Sequence, residues 1–400
     1  MKQLSLNKLI NIIIFFFILS LYIFVFIEGL SLISNIISLL LIFLIWTNFL
    51  LSKRKLVFNN ALLIYLMFFL LVIISIIFSI NQDAVIIQIR SLFFIFLVMI
   101  SLVNYIDTID KLERFMVSFV YSGSIASIYI LLSSDFSTLI RFGDQLGNVN
   151  SVGIIIGIAA TFCIYFILEE KKYWYILLLF IMVPTILLTG SRKALLFIIL
   201  NMIIILYFRN RKGFSNKIKF VVIGLFILLV ISYLIFNVPI FYEIIGNRVE
   251  NLISFIIEDS NEEASINVRN QLTSFGLEMF KDQPLTGYGI DNYKYLLSSY
   301  GGGNFYSHNN FIELLVGTGI LGVLVFYLLH FVVLKDLFKT AKNNKYKTIC
   351  YTFIAIIISY IVMSIGLVYY NSKHFSILLA VGSIISRVIV VESRRKTNGL

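Results

Sequence analysis

Charge is what this sequence is shortest of. Only 13% of its 400 residues are Asp, Glu, Lys or Arg, against 60% hydrophobic, and the mean hydropathy is +0.96. Soluble domains carry roughly 25% charged residues. A chain with so little polar surface cannot cover its apolar side chains in water, which excludes a soluble protein and leaves a polytopic membrane protein. Proline is almost missing: Pro184, Pro239 and Pro284 are all there is, and only Pro184 falls within an expected span. Two cysteines, Cys163 and Cys350, both lie in apolar runs. They exclude a disulfide framework and a cysteine metal site and read as core packing. Zinc-ligand spacing, a P-loop and a Ser-His-Asp order are absent too. Gly287-Tyr288-Gly289-Ile290-Asp291-Asn292 has glycines but no strand-turn-helix unit around it, so it is a poor match for a dinucleotide site. Long tracts of like charge are missing as well. The formal charge of +11 is scattered through short loops between apolar runs, where it sets orientation and does not point to nucleic acid.

What is there is a series of apolar stretches. A spanning helix needs roughly 20 of them in a row, and at these lengths only helices satisfy the backbone in lipid. The expected fold is all-α, with about twelve spans at 9–27, 32–51, 60–80, 84–106, 114–133, 148–168, 173–189, 194–208, 218–237, 309–333, 348–369 and 375–392. The first run has no small-residue cleavage site, so it reads as a retained helix. With the N-terminus inside, 22 of the 32 Lys and Arg fall on the cytoplasmic side and 8 outside, as the positive-inside rule requires. Both termini are then expected in the cytoplasm. The chain divides into spans over 1–237, a large outer loop over 238–308, and three spans with a cytoplasmic tail over 309–400.

An outer loop of about 70 residues is far longer than a connection needs, and such loops are functional or disordered. This one carries order signals. Ile245, Val249, Leu252 and Ile256 fall at helical spacing within 243–257, as do Val268, Leu272, Phe275 and Met279 within 264–281. Both predict amphipathic helices. Glu258, Asp259, Glu262 and Glu263 mark a solvated bend between them, and a turn is expected at Gln283–Gly287. A shorter outer loop, 134–147, leads into Gly147-Asn148-Val149-Asn150-Ser151.

The loop ends at Ser307-His308-Asn309-Asn310-Phe311, preceded by Gly301, Gly302 and Gly303, and runs straight into a span. His308 opens a helix beside a polar region, and histidine suits proton transfer near neutral pH. A structural hydrogen bond is the plainer role for an interfacial histidine. Glu313 either orients the imidazole or faces water. Arg192 and Lys193 break the charge rule by sitting outside at the start of a span. Either they snorkel to headgroups, or they form an anion site at a helix N-terminus, where unpaired N–H groups and a guanidinium fork suit phosphate. Arg269 and Arg248 lie in the long loop and, taken alone, read as solvated. Arg90, inside the fourth span, is costly in lipid and is expected to face protein or water.

Together these stretches resemble the O-antigen ligase and polymerase family. Leu188-Thr189-Gly190-Ser191-Arg192-Lys193-Ala194-Leu195-Leu196 is similar to that family's Thr-Gly-Ser-Arg segment. His308-Asn309 followed by Gly317-Thr318-Gly319-Ile320-Leu321-Gly322 resembles its second motif. Arg269 through Asp282–Gly289 and Asn292 resembles the end of its outer loop, and Gly147-Asn148-Val149-Asn150 a weaker element. The likeness covers about residues 140–330. Lys193 stands where the family usually has Gly, and Glu313 near where it often has Gln. The resemblance implies an enzyme of the bacterial cytoplasmic membrane that transfers glycan from undecaprenyl pyrophosphate on the outer face, without metal or cofactor. Arg192, Arg269 and Lys193 would hold the pyrophosphate and His308 would take the acceptor's proton. Glu313, Asn309, Arg248 and Arg90 would support them. The partners it implies are the lipid-linked oligosaccharide, a glycan acceptor, membrane lipid and, for some members, a chain-length regulator.

Abundant Ile, Asn, Lys and Phe with little Ala suggests an AT-rich coding sequence. That favours a repeat-unit polymerase of O-antigen or capsule over a ligase that moves finished chains to lipid A-core. A lipid-linked oligosaccharide flippase also suits twelve spans. It does not suit a single ordered outer loop, since transporters show paired interrupted helices in two halves.

Overall fold

The computed structural model describes residues 2–24, 27, 30–52, 54–136, 141–209, 229–250, 264–342 and 345–397. Among them every regular element is helical. In chain order these are α1 (Lys2–Tyr22), α2 (Ser31–Leu51), α3 (Asn60–Ile74), α4 (Gln82–Tyr105), α5 (Ile109–Ser133), α6 (Val149–Leu168), α7 (Tyr175–Leu188) and α8 (Arg192–Arg209). They continue as α9 (Leu229–Asn237), α10 (Pro239–Glu250), α11 (Ala264–Asp282), α12 (Tyr293–Leu297), α13 (Asn310–Ala341), α14 (Lys347–Met363), α15 (Lys373–Gly382) and α16 (Ile385–Thr397).

Seven helices among the described residues are long and apolar enough to cross a membrane, and an eighth span is made if α9 and α10, bent by 89°, are taken as one. The twelve expected full-length spans are therefore not matched one for one. Leu6–Tyr22, Tyr175–Leu188 and Lys347–Met363 are apolar but shorter. Helix α8 carries Arg192, Lys193 and Arg209 at its ends. Residues 218–228 of the expected ninth span lie outside the described residues. The second amphipathic helix is seen as α11. The first begins earlier than expected, at Pro239, and residues 251–257, like the acidic bend, lie outside the described residues.

Asparagine starts many of these helices. Asn59, Asn81, Asn148 and Asn309 each accept from backbone N–H groups in the first turn of α3, α4, α6 and α13. A cap of this kind satisfies donors the helix leaves open, at about 1 kcal/mol each. Helix α6 is apolar all round and 78% of its window is buried, whereas only 33% is for α2. It is thus the bundle's central helix, packed by α5, α7, α8 and α14. Small residues let α8 come close: a Cβ on Gly153 would lie 2.6 Å from Ala194 Cβ. Removing one side chain from the contact allows such backbone approach. The N-termini of α6 and α8 are held side by side as a result.

Helix α13 is broken where the sequence suggested one continuous span. Gly319 has φ +65° and ψ −171°, a conformation open mainly to glycine. The break frees the Val316 carbonyl and the Ile320 amide. The turn over 283–288 docks into it: Tyr288 N donates to Val316 O at 2.7 Å and Ile320 N to Pro284 O at 2.9 Å. Gly287, also left-handed, permits this approach, since a Cβ there would lie 2.6 Å from Val316 O. Leu272, Met279, Tyr293, Leu296 and Leu297 then pack on Ile312 and Val316. At roughly 1.5–3 kcal/mol for each large apolar side chain taken from water, this satellite core holds α11 against α13. Asn292 clamps the same region to α4, accepting from Asn81 N at 2.6 Å and donating to Asn81 O at 3.2 Å.

Candidate active site

The α7–α8 turn supplies the first wall. Gly190 is left-handed at φ +59°, and a Cβ there would meet Ile244 O at 2.8 Å. Ser191 caps α8, its Oγ accepting from Ala194 N at 3.2 Å. This leaves Arg192 and Lys193 in the first helical turn, at the positive end of the helix dipole. Cations there are disfavoured by a few tenths of a kcal/mol or more, and an anion between them reverses the sign. Arg192 Nη1 donates to Arg248 O at 2.9 Å, and Arg248 Nη1 to Gly190 O at 3.1 Å. The two arginines thereby lace α10 onto the turn. Lys193 Nζ bonds the carbonyl of Gly366 in the α14–α15 loop, so its ammonium is aimed at protein.

The loop before α13 supplies the second wall. His308 has φ +54°, a left-handed backbone that a non-glycine residue keeps only when neighbours enforce it. Ser307 does so: its N and Oγ both donate to Glu313 Oε2, at 3.1 and 2.7 Å. Glu313 is buried. It neither meets the imidazole nor faces water; it grips the residue before it. Asn309 is the α13 cap, accepting from Phe311 N at 2.9 Å. Asn310 receives the next loop, accepting from Tyr369 N and Tyr370 N at 2.9 and 3.0 Å. The Tyr306 ring lies over His308 with centroids 3.9 Å apart.

The two walls meet. Burial first, then the charges of Arg269 and Lys193, lower the His308 imidazole from its ordinary 6.5 to about 4. Arg269, on α11, and Lys193 thus lie within electrostatic reach of His308. Lys193 also feels Arg269, Arg192 and Arg141. The candidate site is therefore a cationic region in which Arg192 and Arg248 are bonded round the α7–α8 turn, and Glu313 and Asn309 shape the backbone at His308. Arg90 is exposed on α4, and no contact joins it to these residues among those described.

Residues 177–327 match the family model for O-antigen ligase. Over this segment, 151 of the 400 residues, the chain is similar to the O-antigen ligase family. No curated protein matches it. The matched segment runs from α7 into α13 and holds Arg192, Lys193, Arg248, Arg269, His308 and Glu313. Members of the O-antigen ligase family are membrane glycosyltransferase-type enzymes acting on lipid-linked glycans.

Sequence reasoning passed over Arg141, Asn150 and Ser307. Ser307 and Asn150 carried no charge to draw notice. Arg141 did carry a signal, as one of the few basic residues on the outer side of the expected topology.

Proposed function

We propose that the protein is a repeat-unit polymerase of a surface polysaccharide. It transfers glycan from undecaprenyl pyrophosphate to the end of another lipid-linked or growing chain, at the outer face of the cytoplasmic membrane. The reading is carried by the meeting of one neutral imidazole with several cations beside a membrane helix. In this reading the acceptor hydroxyl attacks the anomeric carbon from the side opposite the pyrophosphate. The new C–O bond forms as the anomeric C–O bond to phosphate breaks, inverting the configuration. The hydroxyl proton passes to His308, which is neutral and able to accept it. The electron pair leaves on the pyrophosphate, where Arg192 and Arg269 offset the growing charge. These side chains supply the positive charge that a metal gives in other transferases.

The glycan length profile of a strain lacking the gene tests the reading. An acceptor carrying a single repeat unit is expected. Full-length chains stalled on the lipid carrier, with none on the acceptor, would make the protein a ligase instead.

The Ser307 clasp gives a second expectation. Glu313→Gln keeps an acceptor for Ser307 and retains transfer within about threefold, whereas Glu313→Ala lowers the rate at least about tenfold. The alanine variant leaves a buried donor unmatched, worth about 1–3 kcal/mol, and frees His308 to leave its left-handed backbone. Rates of the two variants on lipid-linked donor decide it, and equal rates would show that the clasp does not position the base.

A further inference from the structure

Arg141 lies outside the segment matched by the family, in the loop between α5 and α6. Its guanidinium is fixed on two edges. Nε donates to Thr189 O at 2.7 Å, and one Nη donates to Asn150 Oδ1 at 3.1 Å. Asn150 is itself held, its Oδ1 accepting from Ser191 Oγ at 2.8 Å. A planar fork anchored in this way presents its remaining N–H groups in one direction, with little rotamer freedom left to lose on binding. Burial first, then the charges of Arg248 and Arg192, lower it to about 10. Three guanidiniums are thus bonded round the 189–192 turn, since Arg141 holds Thr189 O, Arg248 holds Gly190 O and Arg192 holds Arg248 O. Lys193 is within electrostatic reach of this group and of His308. A monophosphate held near His308 need not extend to the turn, whereas a second, linked phosphate gives the donor an anion long enough to engage the anchored Arg141 fork.

We propose that Arg141 is the specificity residue that distinguishes a diphosphate-linked lipid carrier from a monophosphate-linked one. The inference rests on the reading of the site as one for a lipid-linked donor. A purely structural role for Arg141 is the competing account, since the loop is also tied to the α7 end by Phe142 N donating to Leu188 O at 3.0 Å. Losing a structural tether weakens every ligand alike. Losing a second phosphate's partner weakens only the diphosphate.

The test measures binding of undecaprenyl pyrophosphate and undecaprenyl phosphate to the purified full-length protein by microscale thermophoresis. Wild-type protein is expected to prefer the diphosphate about tenfold, the gain from one or two charge-assisted hydrogen bonds. Arg141→Ala is expected to lose about tenfold on the diphosphate and under about twofold on the monophosphate. Equal losses on both, or no loss on either, would overturn the proposal. If Arg141→Ala does not purify as a folded protein, Arg141→Lys is measured instead. It keeps the charge and loses the anchored fork, so the preference should fall about threefold; an unchanged preference overturns the proposal. Wild-type protein that binds both carriers equally overturns it too, leaving the functional reading intact. Wild-type protein that binds neither carrier removes the functional reading itself, and the assignment of Arg141 with it.

Discussion

His308→Ala is expected to lower transfer about a thousandfold, within the range general-base catalysis contributes, while leaving binding of the lipid-linked donor nearly unchanged. Its pH dependence is equally specific. A base works only when unprotonated, and burial with Arg269 and Lys193 places the free site's imidazole at about 4 instead of 6.5. The kcat/KM profile should therefore stay flat from about pH 8 down to about pH 5 and fall tenfold per unit only below about 4. Bound pyrophosphate offsets the two cations, which raises the imidazole in the complex and strengthens it as a base. The acid limb of kcat should accordingly lie above that of kcat/KM. Replacing Arg269 with Gln removes one of the lowering charges and should move the kcat/KM limb upward. An acid limb of kcat/KM near 6.5 in the wild-type protein would mean that neither burial nor the neighbouring cations lower the base.

Arg192→Ala is the other large effect. Removing one preorganised donor from a developing oxyanion costs about a hundred- to a thousandfold in rate, or about 2.7–4 kcal/mol. Here the loss should be compounded, because Arg192 also holds the Arg248 carbonyl at 2.9 Å, and Arg248 in turn holds Gly190. Lysine at position 192 should recover little, since a point charge replaces a planar fork at a site where geometry sets both contacts. Steady-state kinetics on lipid-linked donor, read beside the thermal midpoint in detergent, separates chemistry from stability. Activity within twofold of wild type would remove Arg192 from the reaction.

Arg192, Lys193 and His308 could be singled out along the chain because they break local rules, whereas Arg248 and Arg269 were drawn in only by the family resemblance. Arg192 and Lys193 sit where neither the membrane charge rule nor the helix dipole favours cations, and His308 follows a run of glycines into a span. Glu313 was visible as a residue but not as a grip on Ser307, because a hydrogen bond six residues long in sequence depends on how the chain turns at His308. Arg90 stood out by its cost in lipid, and on α4 it is exposed. Gly317-Thr318-Gly319 could be read as a motif, though not as the break in α13 into which the 283–288 turn inserts.

The sequence alone determined the membrane class and the helical fold. These follow from composition and from periodicity, which act over one or two dozen residues. The tertiary structure decided which charges share a site. Arg141, Arg192 with Lys193, Arg248, Arg269 and His308 come from five separate parts of the chain. They are drawn toward one region because Gly153 lets α8 close on α6, because the broken α13 receives the 283–288 turn, and because α11 packs on Ile312 and Val316. Those contacts join residues far apart in sequence, and close packing between helices, which no local pattern records, determines where they fall.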